Sequence, residues 1–309
     1  VSAQRYATSP EVVKLEGDFE HHMVHTRGIR LHVAVAGNPS NPLVLLIHGT
    51  FGGWFDYKEV IAPLAAAGYH VAAIDMRGYG MSDKPPQTPG DEMRIATGDI
   101  AAVISSLGHS KAVLVGHDTG GTVAWACATH YPEKIHALVS ISAAHPTDLR
   151  AAVRRRPWDF MPIIGRITIA RLPSQFLSRL SSLRAPTWRK SLEFDTTTKF
   201  HRTNAFKETL ELRLKAADIG HAMPYIVHNS RLLTPRLPVS FQQDALVTAP
   251  TLLIHPKQSL WNPIVTLSRK RVDADVTELS IDEAKNLPPI EQPERFLAHL
   301  ANYFKTVLG

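Results

Sequence analysis

Five uninterrupted apolar runs constrain the fold more than any other feature of this chain. They are residues 43–48 (LVLLIH), 70–76 (HVAAIDM), 111–117 (KAVLVGH), 135–142 (IHALVSIS) and 251–255 (TLLIH). A run with no polar alternation suits a strand covered on both faces, because each side chain must meet an apolar layer whichever way it points. Between the first four runs lie stretches with helical periodicity, at about 54–67, 92–107 and 119–130. Strand and helix alternating at this spacing predict an α/β fold, a mostly parallel central sheet with helices on both faces. Residues 21–37 predict two further strands around the turn Arg27-Gly28. Residues 276–280 predict another strand, and 293–307 a closing helix.

The alternation stops between residues 146 and 245, where no comparable apolar run occurs. Helical pieces are expected there near 174–183 and 204–218, punctuated by prolines. The expected organisation is therefore a core of residues 1–145 and 246–309, interrupted by a helical lid at 146–245. Charge follows the same division. The whole chain of 309 residues carries a net charge of +6, but the lid segment alone holds 17 Lys and Arg against 8 Asp and Glu. That is +9 for the lid and −3 for the remainder. Arg154-Arg155-Arg156 and Arg189-Lys190 raise the question of nucleic acid. Their setting lacks a recognition motif or a basic-aromatic alternation, so a solvated helical face is expected. Steering of an anionic substrate, or an anionic lipid surface, is the next reading.

Composition excludes other classes. The single cysteine, Cys127, permits no intrachain disulfide. No run approaches the roughly 18 apolar residues of a membrane span. Residues 1–20 lack the basic-then-apolar order of a signal peptide, so a cytoplasmic location is expected. No metal-ligand spacing and no cofactor motif is evident.

The chemistry-bearing motifs follow the apolar runs. Run 111–117 ends in Gly116-His117-Asp118-Thr119-Gly120-Gly121 and enters a helix directly. Small neighbours permit a sharp strand-to-helix turn that lifts its central residue, Asp118, into a cleft above the sheet. The plainer reading is a glycine-rich turn with Asp118 capping the helix. Run 43–48 leads into His48-Gly49-Thr50-Phe51-Gly52-Gly53-Trp54, a loop able to supply a second backbone N–H beside that of Thr119. Run 70–76 leads into Asp75-Met76-Arg77-Gly78-Tyr79-Gly80.

With these motifs, the exit Ala144-His145-Pro146 and the late run Glu291-Gln292-Pro293-Glu294-Arg295-Phe296, the sequence resembles the α/β-hydrolase superfamily over nearly its whole length. Within it, the chain resembles the epoxide hydrolases and haloalkane dehalogenases that use an Asp nucleophile. The resemblance implies that Asp118 attacks a carbon to give an alkyl ester, which a His-activated water then hydrolyses. It places His48, Gly49, Phe51, Trp54, His117 and Thr119 around the oxyanion and substrate, and gives His117 and His145 packing roles. Tyr225 stands where the family has a ring-protonating lid tyrosine, or else is an amphipathic lid residue. No second lid tyrosine is found within residues 160–185.

Three positions depart from the family pattern. Ser259 stands nearest the relay acid and Asn286 at the general-base His, with Lys285 at the usual Gly. Asn has no basic nitrogen near neutral pH, so it cannot take a proton from water. His255 could act as surrogate, against a reading as a core or rim histidine. Lys285 could pair with Asp118 or face solvent. Asp148, Asp282 and Glu283 are expected to be solvated or loop carboxylates. Three functions follow. One is a hydrolase of the epoxide-hydrolase type with an incomplete triad, its catalytic residues Asp118, Tyr225 and His255. The second is a non-hydrolytic enzyme with Asp118 as general base. The third is a degenerate member that binds a small ligand without turnover. The expected partner is a small organic substrate or ligand, not nucleic acid, and homodimerisation is left open.

Overall fold

The apolar runs become the middle of a sheet. In the computed structural model, which describes residues 8–86, 90–172, 184–235 and 245–309, eight strands are found. They are β1 (Glu20–Thr26), β2 (Ile29–Ala36), β3 (Leu43–Ile47), β4 (His70–Ile74), β5 (Ala112–His117), β6 (Ile135–Ile141), β7 (Thr251–Ile254) and β8 (Val276–Leu279). They form one sheet in the order β1-β2-β4-β3-β5-β6-β7-β8. β2 runs antiparallel to both β1 and β4, and the other pairings are parallel. Every residue of β3, β4 and β5 is buried, as unbroken apolar runs require.

Helices α1 (Lys58–Ala66), α2 (Glu92–Ser106) and α3 (Asp118–His130) connect the early parallel strands. The insertion region between β6 and β7 is helical. It holds α4 (Pro146–Arg155), α5 (Met161–Ala170), α6 (Arg184–Asp195), α7 (Asn204–Asp218) and α8 (Ala222–Asn229). The helix expected near 174–183 lies outside the described residues. After β7 come α9 (Trp261–Arg271), the short α10 (Pro288–Glu291) and α11 (Pro293–Leu308). α11 lays Phe296, Leu300 and Phe304 into the core with none of their surface exposed.

Three features of this framework position the site. Register pairs Ile47 of β3 with Gly116 of β5, so the two strands end side by side and their exit loops meet. Glycines allow α3 to press against β5: a Cβ on Gly116 would lie 2.6 Å from the Gly121 Cα. Arg271 then ties the insertion at both ends. Its Nε and Nη2 donate to the two carboxylate oxygens of Asp148, each at 2.6 Å, and Nη2 also donates to Thr147 Oγ1. Its Nη1 donates to the Ala245 carbonyl at 3.1 Å. Asp148, expected to be solvated, is instead 8% exposed at its side chain and fully paired. Its position in the first turn of α4, facing α9, could not be read from sequence spacing.

Candidate functional site

Asp118 opens α3 at φ 50°, one of few non-glycine residues in the left-handed region. Aspartate tolerates this region better than most residues, and the strain is typical of a side chain held for a purpose. The Thr50 N–H donates to Asp118 Oδ2 at 3.1 Å. Thr50 is itself fixed: Tyr79 donates its hydroxyl to the Thr50 carbonyl at 2.9 Å, and Thr50 Oγ1 meets Thr119 Oγ1 at 3.2 Å. Asn229 at the end of α8 also donates to Thr119 Oγ1, at 3.0 Å. The backbone donor on the carboxylate is thus Thr50, one residue before the expected Phe51.

The largest addition to the sequence reading is Arg166. From α5 it donates through Nη1 to Asp118 Oδ1 at 3.2 Å and through Nη2 to Oδ2 at 2.8 Å. Nη2 also donates to Thr50 Oγ1 at 2.7 Å. The Arg166 guanidinium lies 5.3 Å from the Phe51 ring centroid, and Phe51 packs edge-on against Trp188. Burial would raise the Asp118 carboxyl, but the charge and hydrogen bonds of Arg166 overcome it and hold Asp118 well below the usual carboxylate range. His117 behind it is buried and pushed down to about 4, so it is neutral near pH 7. Its Nδ1 has no hydrogen-bond partner among the described residues. Gly49 is required here because a Cβ would strike the His117 ring and the Asp118 Cβ.

Asn286 is buried and ties the loop before α10 to the end of α6. Its Nδ2 donates to Asp195 Oδ1 at 3.3 Å, its backbone N–H to the Asp195 carbonyl at 2.8 Å, and Ser142 donates to its Oδ1 at 3.1 Å. Asp195 ends α6, where the carbonyl end of the helix disfavours negative charge. Burial first, then the nearby Asp118 charge, pushes the Asp195 carboxyl up to about 6, with Arg166, Arg213 and Asn286 opposing the rise. Glu291 holds the backbone on both sides of this contact. It accepts from the N–H of Thr197 at 2.6 Å, of Lys285 at 2.8 Å and of Leu287 at 3.4 Å. A second inward arginine, Arg213 of α7, is bound by Asp56 at 2.8 Å, both side chains almost wholly buried.

Other expected site residues point elsewhere. His255 has both ring nitrogens engaged, Nδ1 with the Pro256 carbonyl at 3.2 Å and Nε2 with Glu278 at 3.0 Å. It therefore faces the outer end of the sheet rather than Asp118. Lys285 turns to the Phe194 carbonyl and ring. The Tyr225 hydroxyl donates to the Pro85 carbonyl. Its ring borders a mostly apolar cavity of about 130 Å³, also bounded by Arg77, Asp99, His228 and Asn229, whose lining does not include Asp118. Trp54 is fully buried, donating to the Val13 carbonyl and packing on His21, so it is a core residue and not a pocket wall. His48 bonds the Gly49 carbonyl and accepts the Met76 N–H, which fixes the loop and leaves no free nitrogen. His145 pairs with Thr147 at the start of α4. Ser259 is exposed. Asp282 and Glu283 form surface ion pairs with Lys257 and with Lys199. Among the described residues no cluster of three His, Cys, Asp or Glu could hold a metal ion. No described helix is long and apolar enough to cross a membrane.

An eight-stranded, mostly parallel sheet with an acid raised at the β5–α3 turn and a helical insertion over it defines an α/β-hydrolase architecture. The sequence pattern of the α/β hydrolase fold family matches residues 42–254, and the chain belongs to that family. It is 43% identical over 123 residues to the AB hydrolase superfamily protein YfhM of Bacillus subtilis, a match covering 40% of this chain and 43% of that protein. It is 38% identical over 130 residues to mouse epoxide hydrolase 4, covering 42% and 36%, and 41% identical over 125 residues to epoxide hydrolase B of Mycobacterium tuberculosis, covering 40% and 35%. The matches thus span well under half of these relatives. In fold, the chain is similar to epoxide hydrolase A of Mycobacterium thermoresistibile, with a TM-score of 0.74 at 23% identity, covering 93% of this chain and 98% of that one.

Proposed function

We propose that this chain is an epoxide-hydrolase-like enzyme in which Asp118 attacks a carbon of a small epoxide to form an alkyl ester. The observation that carries the reading is the state of Asp118: raised on a strained turn, met by the Thr50 N–H, and kept ionised by Arg166. A carboxylate that stays anionic throughout the neutral range has a lone pair to offer carbon and almost no affinity for a proton. The same fact weighs against a general-base role, which needs an acidity near the working pH. Thr50 N–H sits on the carboxylate that would carry negative charge when water attacks the ester, as an oxyanion donor must. The relatives named as epoxide hydrolases support the same substrate class.

Arg166 binds both carboxylate oxygens of Asp118, so a substrate that reaches them must move the guanidinium aside. Asn286 and Ser259 stand where a His and an acid would complete the relay.

Incubation with a panel of small epoxides and haloalkanes, followed by intact mass spectrometry and diol analysis, tests the proposal. Diol, or an adduct mapping to Asp118 and lost in Asp118→Asn, is expected. Neither product over the whole panel would overturn the reading and leave ligand binding without turnover.

A further inference from the structure

Arg166 sits on the atoms that would react. Its Nη1 and Nη2 donate to the two carboxylate oxygens of Asp118, at 3.2 and 2.8 Å. A planar fork of this kind is matched to a carboxylate and binds one more tightly than a neutral group. Among the described residues, Asp118 is the one acid in ion-pair contact with Arg166. Asp195 acts on Arg166 at longer range, and the other inward arginine, Arg213, is already held by Asp56. The Arg166 side chain is 23% exposed and that of Asp118 19%, so a small anion arriving from solvent can reach the pair. Arg166 Nε is buried and has no hydrogen-bond partner among the described residues, which leaves one donor of the guanidinium unused.

What becomes of Arg166 decides which substrates Asp118 can take. A neutral epoxide must break both bonds and leave a mostly buried guanidinium without an anion. That is costly, because the cation then has neither its water nor its partner. A substrate that carries its own carboxylate replaces the lost partner as it arrives. Asp118 is not stranded by the exchange, since the Thr50 N–H still donates to its Oδ2. Thr50 Oγ1 and the Phe51 ring border the guanidinium as well, so it has contacts at the site besides Asp118.

We propose that Arg166 is a carboxylate-binding residue and that the substrate is a small 2,3-epoxy acid, whose carboxylate takes the guanidinium over from Asp118. The reactive half of the proposal rests on the reading of Asp118 as nucleophile. Fork and nucleophile are in hydrogen-bond contact, so the carboxylate must be attached directly beside the ring that Asp118 opens. A remote carboxylate would hold the ring away from the attacking oxygen. The insertion favours the same class of substrate before contact. It holds 17 Lys and Arg against 8 Asp and Glu, with Arg154, Arg155 and Arg156 exposed, and such a surface draws anions in preference to neutral molecules.

The test compares glycidate with glycidamide, which has the same ring and nearly the same size but no charge. In wild type, kcat/KM for glycidate should exceed that for glycidamide by about 100-fold. In Arg166→Gln the ratio should fall to near or below unity. A purely structural role for Arg166 would lower both substrates alike and leave the ratio unchanged, which would overturn the proposal. Calorimetry with glycerate, the diol of glycidate, reads binding without turnover. Glycerate should bind wild type, and should bind Asp118→Asn about 10-fold more tightly, because the competing internal carboxylate is gone. Diol or Asp118 adduct from both epoxides, with kcat/KM for glycidamide equal or higher in wild type, would overturn the proposal and leave Asp118 as nucleophile. Glycerate binding of the expected pattern with no adduct or diol from either epoxide would remove the nucleophile reading and leave Arg166 as a carboxylate site. Failure of glycerate to bind either wild type or Asp118→Asn would overturn the carboxylate site itself. The wild-type and Asp118→Asn measurements need no change at Arg166, so a misfolded Arg166→Gln protein does not shield the proposal.

Discussion

At the scale of single residues, Arg166 decides how Asp118 behaves. Its two hydrogen bonds oppose the burial that would otherwise raise the Asp118 carboxyl. An acid depressed on folding contributes stability above its unfolded pKa, near 4, and loses it as pH falls towards the folded value. Arg166→Leu removes the cation and leaves burial unopposed. Adduct formation in wild type should persist down the acid side, whereas in Arg166→Leu it should fall away below about pH 5 as Asp118 takes a proton. A pH series of adduct mass between pH 3.5 and 7 reads the difference, and superimposable acid limbs would show that Arg166 is not the controlling charge. The sequence placed an excess of arginine in the insertion but could not tell which arginines turn inward. Arg154, Arg155 and Arg156 are exposed, while Arg166 and Arg213 reach inward to carboxylates. Their helical phase depends on how α5 and α7 seat on the core, which is set by tertiary packing.

At the scale of elements, the end of α6 and the loop before α10 are joined through Glu291. Three backbone N–H groups, of Thr197, Lys285 and Leu287, depend on its carboxylate. Glu291→Ala leaves them unpaired in a buried setting, at about 1–3 kcal/mol each where water cannot reach. The expected result is a melting temperature lower by about 5–10 °C and faster amide exchange at those three positions, read by hydrogen exchange. Glu294→Ala, exposed one turn further on, should change neither. Glu291 belongs to a run that was conspicuous in the sequence, yet its partners could not be read there. One of them, Thr197, lies about 90 residues away, and all three are backbone N–H groups, which carry no side-chain signature. The strands were legible because unbroken apolar runs and glycine turns leave few alternatives. Asp118 was legible for the same reason. Asp195 was not, because one acid among eight in the insertion gives no local sign that it lies beside Asn286.

At the scale of the whole molecule, the stability of the insertion on the core converges on Arg271. Its partner Asp148 is almost fully buried, so removing the guanidinium strands a charge. Arg271→Ala should cost about 3–5 kcal/mol. Arg271→Lys should recover only part of that, since an ammonium cannot reproduce the paired bonds to both oxygens. Denaturant melts of the two variants measure this, and equal stability of Arg271→Ala and wild type would show the pair to be energetically idle. The same side chain touches Thr147 and Asp148 where the insertion leaves the sheet and Ala245 where it returns. The sheet therefore meets a roof of about 100 residues as though it were a short bridge between neighbouring posts. Lengthening, shortening or wholesale exchange of that roof leaves the span across the posts unchanged, and loop closure adds little for each extra residue. The insertion can vary in length while the turn that raises Asp118 stays as it is, provided that Arg166 is kept where it meets the carboxylate.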